Sequence, residues 1–266
     1  MSATDAHADE WELIWADEFD YTGEPDSSKW TREEGFLRNE ELQLYTPAGR
    51  DNVRAENGML VIEAKKEKLK NPGYDPAEKK DWRKSREYTD YTSASVITKG
   101  KAQWQYGRIE VRAKLPGGRG MWPAIWMLGE DRGKIRWPAC GEIDIMEYVG
   151  FEPHTIYATV HTRAYNHRDG TQRGSKIKIP EPDKTFHVYA VEWDAQRIDF
   201  FVDDENYFTF ENEGTGADTW PFDKQFYLIL NIAVGGAWGG QKGIDDSIFP
   251  QRFCIDYLRV YQKECG

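Results

Sequence analysis

Trp137-Pro-Ala-Cys-Gly-Glu142-Ile-Asp144-Ile-Met-Glu147-Tyr148 places three acids in an otherwise apolar run. In a regular strand alternate side chains share a face, so Glu142, Asp144 and Met146 would point one way and Glu147 the other. One extra residue, a β-bulge, returns Glu147 to the face of its two partners, and bulges are enriched beside active sites. The spacing therefore predicts a bulge at Ile145-Met146.

Setting like charges together in an apolar strand is costly. A chemistry that uses such an arrangement is retaining glycoside hydrolysis, which needs two carboxyl groups about 5–5.5 Å apart, one as nucleophile and one as acid/base. Four paired positions along a strand span on the order of 13 Å, so Glu142 and Glu147 must lean together across the bulge. Asp144, between them, is placed to hydrogen-bond the nucleophile and to separate the two pKa values. The competing readings are a calcium site, which favours flexible loops with several oxygen ligands, and a chance acidic strand.

The flanking sequence is built from short strands. Gly107-Arg-Ile-Glu-Val-Arg-Ala-Lys-Leu115 alternates polar and apolar residues, as does Cys254-Ile-Asp-Tyr-Leu-Arg-Val-Tyr261. Phe186–Trp193 and Arg197–Val202 flank a short turn and predict a hairpin. Phe226–Val234 reads as a central strand buried on both faces, and Asn57-Gly58 as a hairpin turn. No long segment keeps a helical period. Many short strands separated by Gly, Pro, Asn and Asp predict an all-β sandwich or barrel. With no repeat or linker visible, residues 1–266 read as a single domain, and the polar residues 1–10 as a disordered N-terminal segment. Lys65–Arg86, rich in charge, is expected to be a long solvated loop or, alternatively, a cleft wall that brings Trp82 and Arg83 to a ligand.

Composition narrows the partners. A net charge of −11 disfavours phosphate backbones, so no nucleic acid is expected. No run of 18 apolar residues suggests a membrane span. The aromatic share, 14% with 11 Trp, fits either a Trp-rich core or a groove whose indoles stack on sugar rings. Cys140, Cys254 and Cys265 are odd in number and lack metal-type spacing, so no disulfide framework is expected, although one pair is able to form. The histidines lack zinc spacing. Gly235–Gly243 lacks the ending and the following helix of a phosphate loop, and there is no Gly-x-Ser-x-Gly elbow. The first ten residues hold no apolar leader core. An extracellular or periplasmic protein whose leader has been removed is expected, with the cytoplasm as the alternative.

The acidic stretch resembles the signature of glycoside hydrolase family 16, a β-jelly-roll family with an open concave cleft. Trp15-Ala-Asp-Glu-Phe19, Asn39-Glu-Glu-Leu-Gln43, Tyr91-Thr-Ser93, Tyr106-Gly-Arg-Ile-Glu110, Met121-Trp-Pro-Ala-Ile-Trp126, Leu230–Gly236 and Ile255–Tyr261 follow in the family's order. The resemblance implies Glu142 as nucleophile, Asp144 as its helper and Glu147 as acid/base. The two residues between Asp144 and Glu147 are similar to the laminarinase branch, which are endo-β-1,3-glucanases. It further implies Trp122, Trp126, Trp137 and Trp238 as sugar platforms, Asn39 as a partner of sugar hydroxyls (Glu40 more weakly), and His161 near the leaving-group site. It implies no cofactor for catalysis, and a structural calcium at Glu18, Gly58 and Asp256. A monomer acting on β-glucan is expected. One departure is visible: laminarinases often carry Arg two residues after the Ser of Tyr-Thr-Ser, and here Ser95 stands there, with Arg83 or Arg86 as possible substitutes. Two rival readings are a family member acting on agar, carrageenan or porphyran, which would call for a basic cleft, and a noncatalytic glucan-binding lectin, which would usually lack one Glu.

Overall fold

The computed structural model describes residues 11–263. Its strands, in chain order, are β1 (Trp11–Asp17), β2 (Thr31–Glu33), β3 (Gln43–Tyr45), β4 (Val53–Glu56), β5 (Met59–Lys70), β6 (Tyr88–Ser93), β7 (Ser95–Ile97), β8 (Gly107–Lys114), β9 (Met121–Gly129), β10 (Glu142–Tyr148), β11 (Thr155–His161), β12 (Arg173–Lys178), β13 (His187–Trp193), β14 (Arg197–Val202), β15 (Glu205–Glu211), β16 (Phe226–Val234) and β17 (Gln251–Lys263). Two single-turn helices, α1 (Trp82–Ser85) and α2 (Gly236–Gly239), lie in loops. The expected disorder of residues 1–10 lies outside the described residues, as does Cys265.

The strands form two sheets. One runs β15-β14-β13-β8-β17-β5-β6-β3, with β1 also on β17 and β4 also on β5; the other runs β12-β11-β10-β9-β16-β7-β2. Runs of consecutive strands, β13-β14-β15 and β9-β10-β11-β12, are joined to the rest by long-range pairings such as β8-β17 and β9-β16, as in a jelly roll. Alternation along each strand decides what lies between the sheets. On β8, Ile109, Val111 and Ala113 point inward; on β9, Met121, Ile125 and Met127; on β16, Leu228, Leu230, Ile232 and Val234. They meet in one continuous core that also takes Trp104, Tyr189, Phe200 and Phe253. Asn57 and Gly58, both at positive φ (54° and 72°), close the β4–β5 hairpin, as a tight hairpin turn requires.

Lys65–Arg86 departs from expectation. β5 does not end at the charged run but continues to Lys70, paired with β6. Its side chains alternate between half-buried and exposed there, so the lysines and Glu67 are solvated while the backbone still finds partners. Only the stretch after Lys70 is irregular, and it folds back as a wall: the Trp82 ring packs edge-on against Phe36 and the Arg83 guanidinium donates to the Leu37 carbonyl. Cys140 and Cys254 are buried free thiols.

Candidate active site

The seven-stranded sheet turns its other face to an open cleft of about 720 Å³. The side chains opposite the core-facing ones line it: Trp122, Ala124, Trp126 and Leu128 from β9, Tyr157, Thr159 and His161 from β11, and Asn231 and Ala233 from β16. β10 crosses the middle. Against β11, Glu142 pairs with His161 and Asp144 with Thr159, but Glu147 pairs with Tyr157, so three steps on β10 match two on β11. The irregularity falls between Asp144 and Glu147, at the predicted Ile145-Met146 bulge. Both bulge side chains enter the core, together with Ile143. That double inward step leaves Glu142, Asp144 and Glu147 all lining the cleft.

Each glutamate is held by an indole. Trp137 Nε1 donates to Glu142 Oε2 at 2.9 Å, and Trp122 Nε1 donates to Glu147 Oε1 at 3.0 Å. Asp144 is buried, with Oδ2 3.4 Å from His161 Nε2. Burial raises the pKa of all three carboxyls; the charge of Glu147 raises Glu142 further, and the charges of Glu142 and Glu147 raise Asp144. His161 is pushed down to about 3 by burial and by His167, so it is neutral at working pH. Taken singly, burial and charge lift Glu142 to about 8 and burial lifts Glu147 to about 7. The three titrate as a unit, and the donors around each group decide where the protons sit. Glu142 is stabilised as an anion by the Trp137 indole and by a hydrogen bond from Asp144, whereas Glu147 has the Trp122 indole alone as a side-chain donor. More donors favour the anion at Glu142 than at Glu147.

Residues 41–259 match the sequence profile described as glycosyl hydrolases family 16. The chain belongs to that family. The Rhodothermus marinus protein named beta-glucanase is 51% identical over 264 residues, covering 96% of this chain and 86% of its own length. The X-ray structure of the laminarinase from Rhodothermus marinus superposes with a TM-score of 0.86 at 49% identity, covering 96% of this chain and 98% of that one. Glucan endo-1,3-beta-glucosidase A1 of Niallia circulans is 36% identical over 95% of this chain, which spans 38% of that protein.

Within this family 16 cleft the expected sugar platforms are not equivalent. Trp238, in α2, packs edge-on against both Trp122 and Tyr157; the three rings form one aromatic corner beside Glu147. Trp137 lies beside Glu142, with His167 and the Arg168 guanidinium against its ring at 4.8 and 4.6 Å. Trp126 is the exception: it is only 8% exposed, its Nε1 donates to Asn231 Oδ1 at 2.7 Å, and the Arg38 guanidinium covers its ring at 4.8 Å. It is cleft floor more than open platform. Asn39 lines the cleft at φ 55°, its amide on Glu41 Oε1 at 3.2 Å; Glu40 is exposed and is not among the lining residues.

The departure at Ser95 has a local explanation. Ser95 Oγ donates to Glu33 Oε2 at 2.6 Å, and Arg38 pairs with both Glu33 oxygens. A guanidinium thus reaches this part of the cleft from the β2–β3 loop. Arg83 also lines the cleft, whereas Arg86 turns to the Glu41 carbonyl. Arg38, Asn231, Tyr157 and His167 escaped the sequence reading. Asn231 had a signal, being the one polar residue inside the apolar run Phe226–Val234. Tyr157 had one too, at period two with Thr159 and His161.

The calcium positions fare differently. β1 pairs up to Asp17–Leu258 and β5 from Leu60–Ile255, so register brings Glu18 and Gly58 to either side of Asp256. The carboxylates, however, are committed to guanidinium groups: Glu18 to Arg259 at 2.8 Å through both oxygens, and Asp256 to Arg112 at 2.5 Å. With both carboxylates taken up in this way, a hard cation here would rest on backbone carbonyls, which the calcium expectation also called on.

Proposed function

We propose that this family 16 chain is an endo-acting, retaining β-1,3-glucanase in which Glu142 is the nucleophile, Glu147 the acid/base and Asp144 the group that holds a proton against Glu142. The observation that carries the reading is the bulge, which brings three acids of one strand into one open cleft. An open cleft suits internal attack on a polymer.

The reaction follows from the proton positions. The Glu142 carboxylate attacks the anomeric carbon from the face opposite the β-linked oxygen, while Glu147 gives its proton to that oxygen. The bond to the leaving saccharide breaks and an α-linked glycosyl ester forms on Glu142. Glu147, now ionised, takes a proton from water, whose oxygen attacks the anomeric carbon and releases a β-configured product. Asp144 remains protonated and steadies Glu142 as it loses and regains its charge. Neutral His161 adds no charge beside the pair. The chemistry needs no cofactor. The substrate is a polymer, so we place the reaction outside the cytoplasm.

Proton NMR of laminarin digestion tests this directly. The β-anomer is expected first, with α appearing only by mutarotation, and oligosaccharides of mixed length are expected early. Initial release of the α-anomer would refute the mechanism. Failure to release reducing ends from laminarin would favour the lectin reading.

A further inference from the structure

The chain carries a net charge of −11, yet four arginines line its cleft: Arg38, Arg83, Arg132 and Arg168. Two are already engaged. Arg38 is neutralised by Glu33, and Arg83 is tied to the Leu37 carbonyl with Asp81 at 3.8 Å. The other two line the cleft with Trp137, and among the described residues neither has an ion-pair partner. The nearby acids are occupied elsewhere: Asp131 is held by Lys224 at 2.7 and 2.8 Å, and Asp169 accepts the Asn166 amide at 2.9 Å. Arg168 lays its guanidinium on the Trp137 ring at 4.6 Å. Stacking of that kind fixes the plane of the group while its edge N–H donors stay available. The general acidity of the chain acts weakly here, because charges beyond about 8 Å are largely screened at physiological salt.

We infer that the Trp137 end of the cleft recognises β-glucan chains bearing anionic substituents, with Arg132 and Arg168 binding the oxyanion of a carboxylate or sulfate group on a sugar ring. The planar guanidinium fork matches two oxygens of either group, which a neutral hydroxyl cannot do. The inference rests on the glucanase reading and narrows its substrate class. The cleft as a whole is balanced, with Glu41, Glu142, Asp144 and Glu147 lining it beside the four arginines, so the inference rests on the two unpaired guanidinium groups and not on the charge of the cleft.

The test compares the full-length wild type with the double variant Arg132→Gln/Arg168→Gln on laminarin, carboxymethyl-curdlan and sulfated laminarin. The quantity read is the ratio of kcat/KM on each anionic polymer to kcat/KM on laminarin, in low and high NaCl. The ratio is expected to fall about tenfold in the variant, the scale of one charge-assisted hydrogen bond. In the wild type it is expected to fall as salt rises. A fall with carboxymethyl-curdlan alone assigns the site to carboxylates, a fall with sulfated laminarin alone to sulfate esters, and a fall with both to either oxyanion. Ratios unchanged by the substitutions on both polymers overturn the inference. If the wild type does not cleave laminarin at all, the glucanase reading fails instead.

Discussion

Replacing Trp122 by Phe removes the indole donor that holds Glu147 while leaving a ring to pack against Trp238. Burial pushes Glu147 up to about 7, and the Trp122 hydrogen bond acts against that rise by favouring the carboxylate. A hydrogen bond to a charged group contributes roughly 1.5–3 kcal/mol, and each pKa unit corresponds to about 1.4 kcal/mol. The full loss would be roughly 1–2 units; water reaching the open cleft replaces part of it, so about 1 unit is expected. The sign is fixed by the role. Glu147 must be protonated to act as acid, so a higher pKa keeps it competent to higher pH. The kcat/KM profile on laminarin should therefore extend its alkaline limb upward by about one unit, whatever happens to its height. Trp137→Phe removes the corresponding donor from Glu142, which must be ionised, and should move the acidic limb upward instead. An alkaline limb that stays put or moves down in Trp122→Phe would refute the assignment of the acid.

Two further outcomes concern the frame of the site. Gly150 follows β10, and a Cβ there would lie 1.8 Å from the Gly118 carbonyl oxygen, which is backbone and has no rotamer to yield. Gly150→Ala should lose about 3 kcal/mol, a Tm fall of roughly 6–12 °C by calorimetry; an unchanged Tm would show that the two loops are not in contact. Arg38→Met leaves Glu33 without its cation. Burial, the largest influence on Glu33, raises its pKa, but Arg38, with help from the Ser95 hydroxyl, outweighs it and holds the carboxyl below its ordinary 4.5. A group depressed in the folded state stabilises above its unfolded pKa. The deficit of the variant should therefore be full near neutral pH, about 2 kcal/mol for a charged hydrogen bond between partly exposed groups, and shrink as pH falls below 4.5 through the depressed folded value. Denaturant midpoints measured at several pH values check this; a deficit independent of pH would assign Arg38 to packing alone.

The contrast between what the residues announce and what they conceal has physical causes. The bulge was legible because three acids at uneven spacing cannot share a face of a regular strand. The core faces of β8 and β16 were legible because burial between sheets imposes strict alternation or a continuous apolar run. The end of β5 was not, because a strand exposed on one side and only half-buried on the other carries charge like a loop. How far Trp126 is exposed in the cleft was not legible, because its ring is covered by Arg38 from a loop far away in sequence. The arginines of the cleft were hidden for the same reason: net charge sums the chain, while the fold selects which few charges meet.

The division of labour between the two glutamates is tested most directly by chemical rescue. Glu142→Ala and Glu147→Ala are each given an aryl β-laminaribioside with a good leaving group in the presence of azide, and the configuration of the glycosyl azide is read by proton NMR. Without the nucleophile, azide attacks from the vacated side and the α-azide is predicted. Without the acid/base, the glycosyl ester still forms on Glu142 and azide gives the β-azide. The reverse pairing, β-azide from Glu142→Ala and α-azide from Glu147→Ala, would contradict the account.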